Sequence, residues 1–465
     1  MNELASHAKF RILQTFALLA IACVSVSLLA TPYYHFAIFP ALAFGLLLWL
    51  GHKPEVGYYL IVFLIPYAAY RTFGPYKFLS IPWAIAFWLI VLSFVQIVIE
   101  KRIRPELKSH LWPLLIIYYV VNILSTLLSS NWPSSFYNLG LLLVTYLFIA
   151  LGLLYISPNG LKRTLPIIIV ASVSISTLLA VAGTVLNLPF FAVGTAGSGM
   201  RRATGGAIDA NNFSLMIIFT LPLLTHYALF SKRTLWTWGS VGCIILGVSA
   251  LVFTYSRGGA IALLIMMMFL FVKLAPRFRP RYLGFALAAL ALVVLAVALW
   301  VPSSYWERQE SVVDTTTRSI GRRISYLFVG LAAFQEHPLL GAGPGAFREI
   351  YAESPQARHF ARVEKDYMRY AHNTYMEVLV GSGLLGFSVF LLILWRTFMD
   401  FLIAKRRYLQ AGETRIADLI GSFQLSFISV LIYLLMFSDM YHKYLLLSLA
   451  VSQVSLRASE DVTSS

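Results

Sequence analysis

The chain reads as an all-α polytopic membrane protein with 12–14 transmembrane helices and one large outer segment containing short helices. Three observations carry that reading. Of 465 residues, 59% are hydrophobic and 12% charged, where soluble domains carry roughly 25% charge; so little charge cannot cover a water-facing surface. The apolar runs are long and continuous, whereas a β-barrel would show short alternating segments. The basic residues between the runs alternate by side.

A spanning helix needs about 20 mostly apolar residues. In chain order the candidates are 12–31, 34–50, 56–70, 80–99, 111–129, 139–157, 165–187, 213–230, 237–255, 259–275, 283–302, 373–395, 418–437 and 441–456. The first follows Lys9 and Arg11 as a signal peptide would, but it is long and another span follows at once, so it reads as a retained helix. Runs 34–50, 56–70 and 441–456 are the shortest, and the expected count is 12 to 14. The division is 1–302, spans and short loops; 303–371, the large outer segment; 372–456, the last spans; and 457–465, a tail. Within 303–371, Ile324 to Phe334 reads as an apolar-faced helix.

With both ends in the cytoplasm, the inner segments carry 21 of the 36 Lys and Arg, including Lys101, Arg102, Arg104, Arg277, Arg279, Lys405 and Arg406. Every short basic cluster then falls on one side, so the net charge of +16 records topology and not nucleic-acid binding. The 15 outer positive residues include 12 Arg. Arg offers a planar fork suited to phosphate or carboxylate, which a solvated surface charge does not need. Span interiors hold almost no ionisable residues, Glu377 being the nearest case, which counts against an ion-coupled transporter. Cys23 and Cys243 lie inside apolar runs and read as packing residues. No metal-ligand spacing, nucleotide loop or other cofactor motif appears.

Four outer clusters can carry chemistry. Arg201-Arg202 precede Gly205-Gly206 and the pair Asn211-Asn212, in an outer loop near 188–212. The arginines suit an anion, and the Asn pair is placed to cap the following helix, whose positive end favours the same anion. Ser256-Arg257-Gly258 breaks an apolar run at a turn near 254–259. Arg322-Arg323 lead through an amphipathic helix to a turn from His337 to Gly345, whose N–H groups are a candidate anion nest. His372-Asn373 open a span, where His suits proton transfer near neutral pH.

Together these clusters resemble the O-antigen ligase and polymerase superfamily of bacterial envelope glycosyltransferases, over roughly residues 195–395. The most specific part is His-Asn, nine residues, then Gly-x-x-Gly: His372-Asn373, then Gly383-Leu384-Leu385-Gly386. The ligase pattern usually continues Thr-Gly, and Phe387-Ser388 stand there instead. The Arg202/Gly205/Asn211/Asn212 set, the Ser256-Arg257-Gly258 turn, and Pro338-Leu339-Leu340-Gly341 through Phe347 are similar to family features in family order.

The resemblance implies inverting, metal-independent transfer of a glycan from undecaprenyl diphosphate, without a cofactor, at the periplasmic face of the bacterial inner membrane. His372 is the implied general base. Arg202 and Arg257 are the implied catalytic arginines on the diphosphate, with Arg201, Arg322, Arg323, Asn373, Asn211 and Asn212 assisting in binding. Membrane lipids surround the spans, and the acceptor is lipid A–core or another glycan. The His-Asn spacing favours ligation to lipid A–core. A polymerase or a protein-glycosylating member needs the same chemistry, and a lipid-linked glycan flippase is the alternative of another class.

Overall fold

The computed structural model describes residues 38–69, 80–99, 104–186, 201–275, 318–360 and 367–463, with short pieces at 22–31 and 188–194. Most of candidate span 12–31, all of 283–302, and residues 303–317 and 361–366 of the outer segment lie outside the described residues.

The described chain is almost wholly helical. Its elements are α1 (Phe39–His52), α2 (Pro54–Phe63), α3 (Ile81–Phe94), α4 (Trp112–Leu127), α5 (Trp132–Tyr155), α6 (Leu165–Val185), β1 (Ala192–Gly194), β2 (Arg201–Ala203), α7 (Ala210–Phe230), α8 (Thr234–Phe253), α9 (Arg257–Leu274), α10 (Arg318–Glu336), α11 (Phe347–Glu353), α12 (Pro355–Phe360), α13 (Thr374–Gln410), α14 (Thr414–Leu434) and α15 (Lys443–Thr463). Eight helical stretches among the described residues are long and apolar enough to cross a membrane, and α1 and α4 are shorter apolar helices. This is an all-α polytopic membrane protein. Helix α2, with 10 residues, is well short of a span.

Local chemistry sets the helix starts. Helices α1 to α6 each open on a proline in the first two positions, where the missing N–H costs nothing. Asn131, Asp209, Ser256 and Asn373 cap α5, α7, α9 and α13 with side-chain oxygens. Helices α7 and α14 are buried almost all round and form the bundle centre. Around them pack α8, α9, α13 and α15. Outward-facing Phe87, Leu264, Val272 and Trp395 are exposed, as lipid-facing residues are.

Buried ionisable residues gather towards one end of the bundle, at or beyond the ends of the candidate spans. Asp418 Oδ2 lies 2.9 Å from His226 Nδ1, and Asp418 Oδ1 lies 3.2 Å from Lys273 Nζ. Arg396 Nε lies 2.9 Å from the fully buried Asp400. Each acid is paired, which is what makes burial of charge tolerable. His226, Lys273 and Asp418 lie near helix ends, while Arg396 and Asp400 lie within α13, beyond the candidate span 373–395.

The outer segment has a small core of its own. Tyr326 and Val329 of α10 pack on Phe347 and Tyr351 of α11, with Ala371 and Val380 beneath. These aromatic side chains are buried, so they fill that core and are not available to stack on a ligand.

Candidate active site

Arg202 is held by a two-stranded ribbon, in which it pairs with Val193. Its Nε donates to Thr254 O at 2.7 Å and its Nη2 to Asn211 Oδ1 at 3.3 Å. Asn211 Oδ1 also accepts from Ser256 Oγ at 2.8 Å. The first two sequence clusters therefore form one lattice. Tyr255 has φ 50°, a left-handed conformation unusual for a side chain this large, and turns the chain sharply into α9. Arg257 is the first residue of that helix and is half-buried. Beside it, a Cβ on Gly258 would lie 2.9 Å from the Phe437 ring, so only glycine lets the 435–442 turn approach this closely.

The same turn carries the start of α13. Thr374 donates to Phe437 O from its N (3.1 Å) and its Oγ1 (2.7 Å), and Asn373 N donates to Ser438 Oγ at 3.2 Å. The Arg257 and His372-Asn373 segments thus meet on residues 437–438. His372 itself takes φ 51°. A non-glycine residue held left-handed at a helix start is over-determined by its surroundings. Its ring lies 5.9 Å from that of Tyr326.

Burial and the positive charges of Arg323, Arg322 and Arg369 together hold the His372 pKa down to about 4. Both causes disfavour the imidazolium, so the ring is neutral with a free lone pair throughout ordinary pH. Of the sequence-predicted residues, Arg322 and Arg323 act on His372, and Arg202 and Asn211 are directly bonded. Arg201 neighbours Arg202 on the ribbon, paired with Gly194.

Two expectations are corrected. The Asn pair does not cap α7. Asp209 does, its Oδ1 accepting from Asn211 N at 2.7 Å and Asn212 N at 3.0 Å, while Asn212 Nδ2 donates to Asp209 Oδ2 at 2.7 Å. A resident carboxylate already occupies the position where the helix end would draw an anion. Asn212 Oδ1 instead accepts from Tyr433 OH at 2.6 Å.

Nor is the glycine-rich turn an open nest. Ala342 N donates to Val380 O (2.9 Å), Gly343 N to Gly381 O (3.1 Å) and Gly341 N to His337 O (3.1 Å). In return Leu384 N and Leu385 N donate to Pro338 O (2.9 Å) and Leu339 O (3.2 Å). This exchange is possible because α13 is broken at Gly383 (φ 62°, ψ −167°), where a Cβ would collide with Leu339 O. The Gly-x-x-Gly of the motif is therefore a docking break in a spanning helix. Asn373 is likewise occupied as the cap of α13, its Oδ1 accepting from Met376 N at 3.1 Å.

Sequence reasoning passed over Arg369, Arg348 and Asp439. Burial, reinforced by the charges of Asp209 and Glu377 against that of Lys443, pushes the Asp439 carboxyl up to about 7. Asp439 is thus the acid that senses both the Asp209 lattice and the His372 turn. A search for clustered acids has no reason to single it out, because its partners are 230 and 62 residues away.

A family model described as O-antigen ligase matches residues 242–391. No curated protein matches the chain. The match takes in Arg257, Arg322, Arg323, His372, Asn373 and the Gly383 break, and leaves the Arg202 ribbon and Asn211-Asn212 outside it. In a polytopic helical membrane protein, residues 242–391 are thus similar to the O-antigen ligase family.

Proposed function

We propose that the protein transfers a glycan from undecaprenyl diphosphate to lipid A–core at the periplasmic face of the bacterial inner membrane, with both termini cytoplasmic. The observation that carries this reading is a neutral His372 beside three arginines, next to residues 373–374, which bond to the 437–438 turn that also packs against the Arg257 helix. In the reaction an acceptor hydroxyl attacks the anomeric carbon from the face opposite the diphosphate. The hydroxyl proton passes to His372, and the electron pair of the breaking C–O bond leaves with the diphosphate. Arg202 and Arg257 meet the charge that develops there, with Arg201, Arg322 and Arg323 assisting. Asn211 orients Arg202, Asn212 ties the α7 start to Tyr433, and Asn373 sets the backbone that aims His372.

Diphosphate arriving among Arg322, Arg323 and Arg369 offsets the charges that depress His372. The base therefore strengthens when donor is bound, which is when it is needed.

The test is transfer by reconstituted protein supplied with lipid-linked glycan and lipid A–core. His372→Ala is expected to lose ~10²–10⁴-fold in rate while retaining donor binding. Cells carrying it accumulate full-length polymer on the lipid carrier and make bare lipid A–core. Single repeats on lipid A–core would identify a polymerase instead, and wild-type transfer by His372→Ala would remove the base.

A further inference from the structure

A cavity of about 280 Å³ opens beside the His372 turn, between the outer ends of α4, α5 and α13, the glycine-rich turn and residues 438–441. None of the sequence-predicted site residues lines it, yet the two are joined. Glu377, which lines it, accepts from Ala371 N at 2.8 Å, and Ser438, which also lines it, accepts from Asn373 N. The cavity thus backs directly onto the residues flanking His372.

Its chemistry is mixed and polar. Glu377 and Asp439 supply carboxyl oxygens, which accept from hydroxyls. Arg348 supplies donors. Its Nη1 reaches Tyr370 OH at 3.4 Å and its guanidinium lies 4.7 Å from the Tyr370 ring, but its Nε is buried without a hydrogen-bond partner among the described residues. A buried orphan donor beside a cavity calls for an acceptor within it. Asn138 is held by Ser134 O (2.9 Å) and accepts from Tyr441 OH on its backbone oxygen at 3.1 Å. Tyr118, Tyr137 and Tyr441 present aromatic surface.

An acyl or polyprenyl chain does not fit, because it would bury two carboxylates and a guanidinium with nothing to bond. A lone anion does not fit two carboxylates. A sugar ring fits: each hydroxyl donates to a carboxylate while accepting from an amide or guanidinium, and its C–H face lies on a phenol ring.

We propose that this cavity binds one sugar ring of the acceptor glycan and delivers its nucleophilic hydroxyl towards His372. The acceptor role rests on the transferase reading above; the binding of a saccharide here does not. Arg348 and Glu377 are then binding residues for the acceptor, separate from the arginines assigned to the diphosphate.

The test uses full-length protein in nanodiscs, titrated with methyl glycosides of glucose, galactose, heptose and N-acetylglucosamine by saturation-transfer NMR. At least one is expected to bind, with affinity falling about tenfold or more in Glu377→Gln and Arg348→Lys, since the first replaces an acceptor oxygen by a donor and the second removes the Nε donor and the planar fork. Tyr137→Ala, at a 66% exposed position where the change leaves the fold intact, should weaken binding severalfold. Undecaprenyl diphosphate should bind all three variants as it binds wild type. In the transfer assay the acceptor KM rises while donor KM is unchanged. Glycoside binding that is absent, or equal in wild type and all three variants, overturns the cavity site even if transfer is confirmed. Localised glycoside binding without transfer would retain the saccharide site and overturn the transferase reading alone.

Discussion

The depressed pKa of His372 gives a sharp prediction for the pH dependence of transfer. An ordinary histidine protonates near 6.5, and His372 does so near 4. At 1.36 kcal/mol per pKa unit, the folded protein resists charging this ring by about 3 kcal/mol. The active form is neutral, so log(kcat/KM) should stay flat as pH falls from 7 to 5 and drop only towards 4. Arg323 is the largest charge contribution after burial. Arg323→Gln removes that repulsion, so the imidazolium becomes easier to form and the acid limb moves up, by roughly half to one pH unit. The assay is initial-rate transfer of a fluorescent lipid-linked glycan across pH 3.5–8, at donor well below KM so that the free enzyme is reported. Asp439, whose carboxyl titrates near 7, supplies the control. A limb near 7 that vanishes in Asp439→Asn belongs to that carboxyl. A limb near 6.5 that survives Asp439→Asn, or no movement in Arg323→Gln, would refute a buried, arginine-flanked base.

Three further outcomes are expected. Arg202→Lys and Arg257→Lys should each lose about tenfold or more in transfer, because an ammonium cannot reproduce the fork that Arg202 divides between Thr254 O and Asn211 Oδ1; full activity of Arg257→Lys would leave that residue a lipid-facing anchor. Gly383→Ala should lower the midpoint of thermal unfolding in detergent, costing about 1–3 kcal/mol from the left-handed backbone alone, with the collision against Leu339 O adding to it; an unchanged midpoint would mean the break relaxes freely. Single cysteines near Arg104, Arg279 and Arg406 should resist an impermeant thiol reagent in intact cells, and those near Ser198, Arg318 and Arg358 should react; the reverse pattern would place the site in the cytoplasm.

What the sequence shows and hides divides along the range of the interactions. The spans and the amphipathic helix α10 are written in local periodicity, so they can be read directly. The Arg202, Arg257 and His372 positions stand out because polar residues interrupt apolar runs. Their partners do not. That Asp209 and not Asn211 caps α7 depends on which of several adjacent side chains turns back, and Asn211 is drawn away by Ser256, 45 residues on. The glycine-rich turn and Gly383 are each visible as motifs, but nothing local says that they bond to each other. Asp418 looks like a flanking charge at the end of a run until His226 and Lys273 close around it. Asp439, Glu377 and Arg348 line one cavity from three separate parts of the chain.

The main-chain exchange between the glycine-rich turn and broken α13 bears on biogenesis. Residues 338–343 leave the ribosome before residues 380–385 do. When they emerge, the helix that is to accept and supply their hydrogen bonds has not yet been made. Until then water must solvate the amides of Ala342 and Gly343, and once α13 is inserted its break must find them. Assembly of the His372 turn is therefore a late, non-local event, following insertion of the span that begins with it. Truncation before α13 should leave residues 318–360 open to protease, whatever their own small aromatic core contributes.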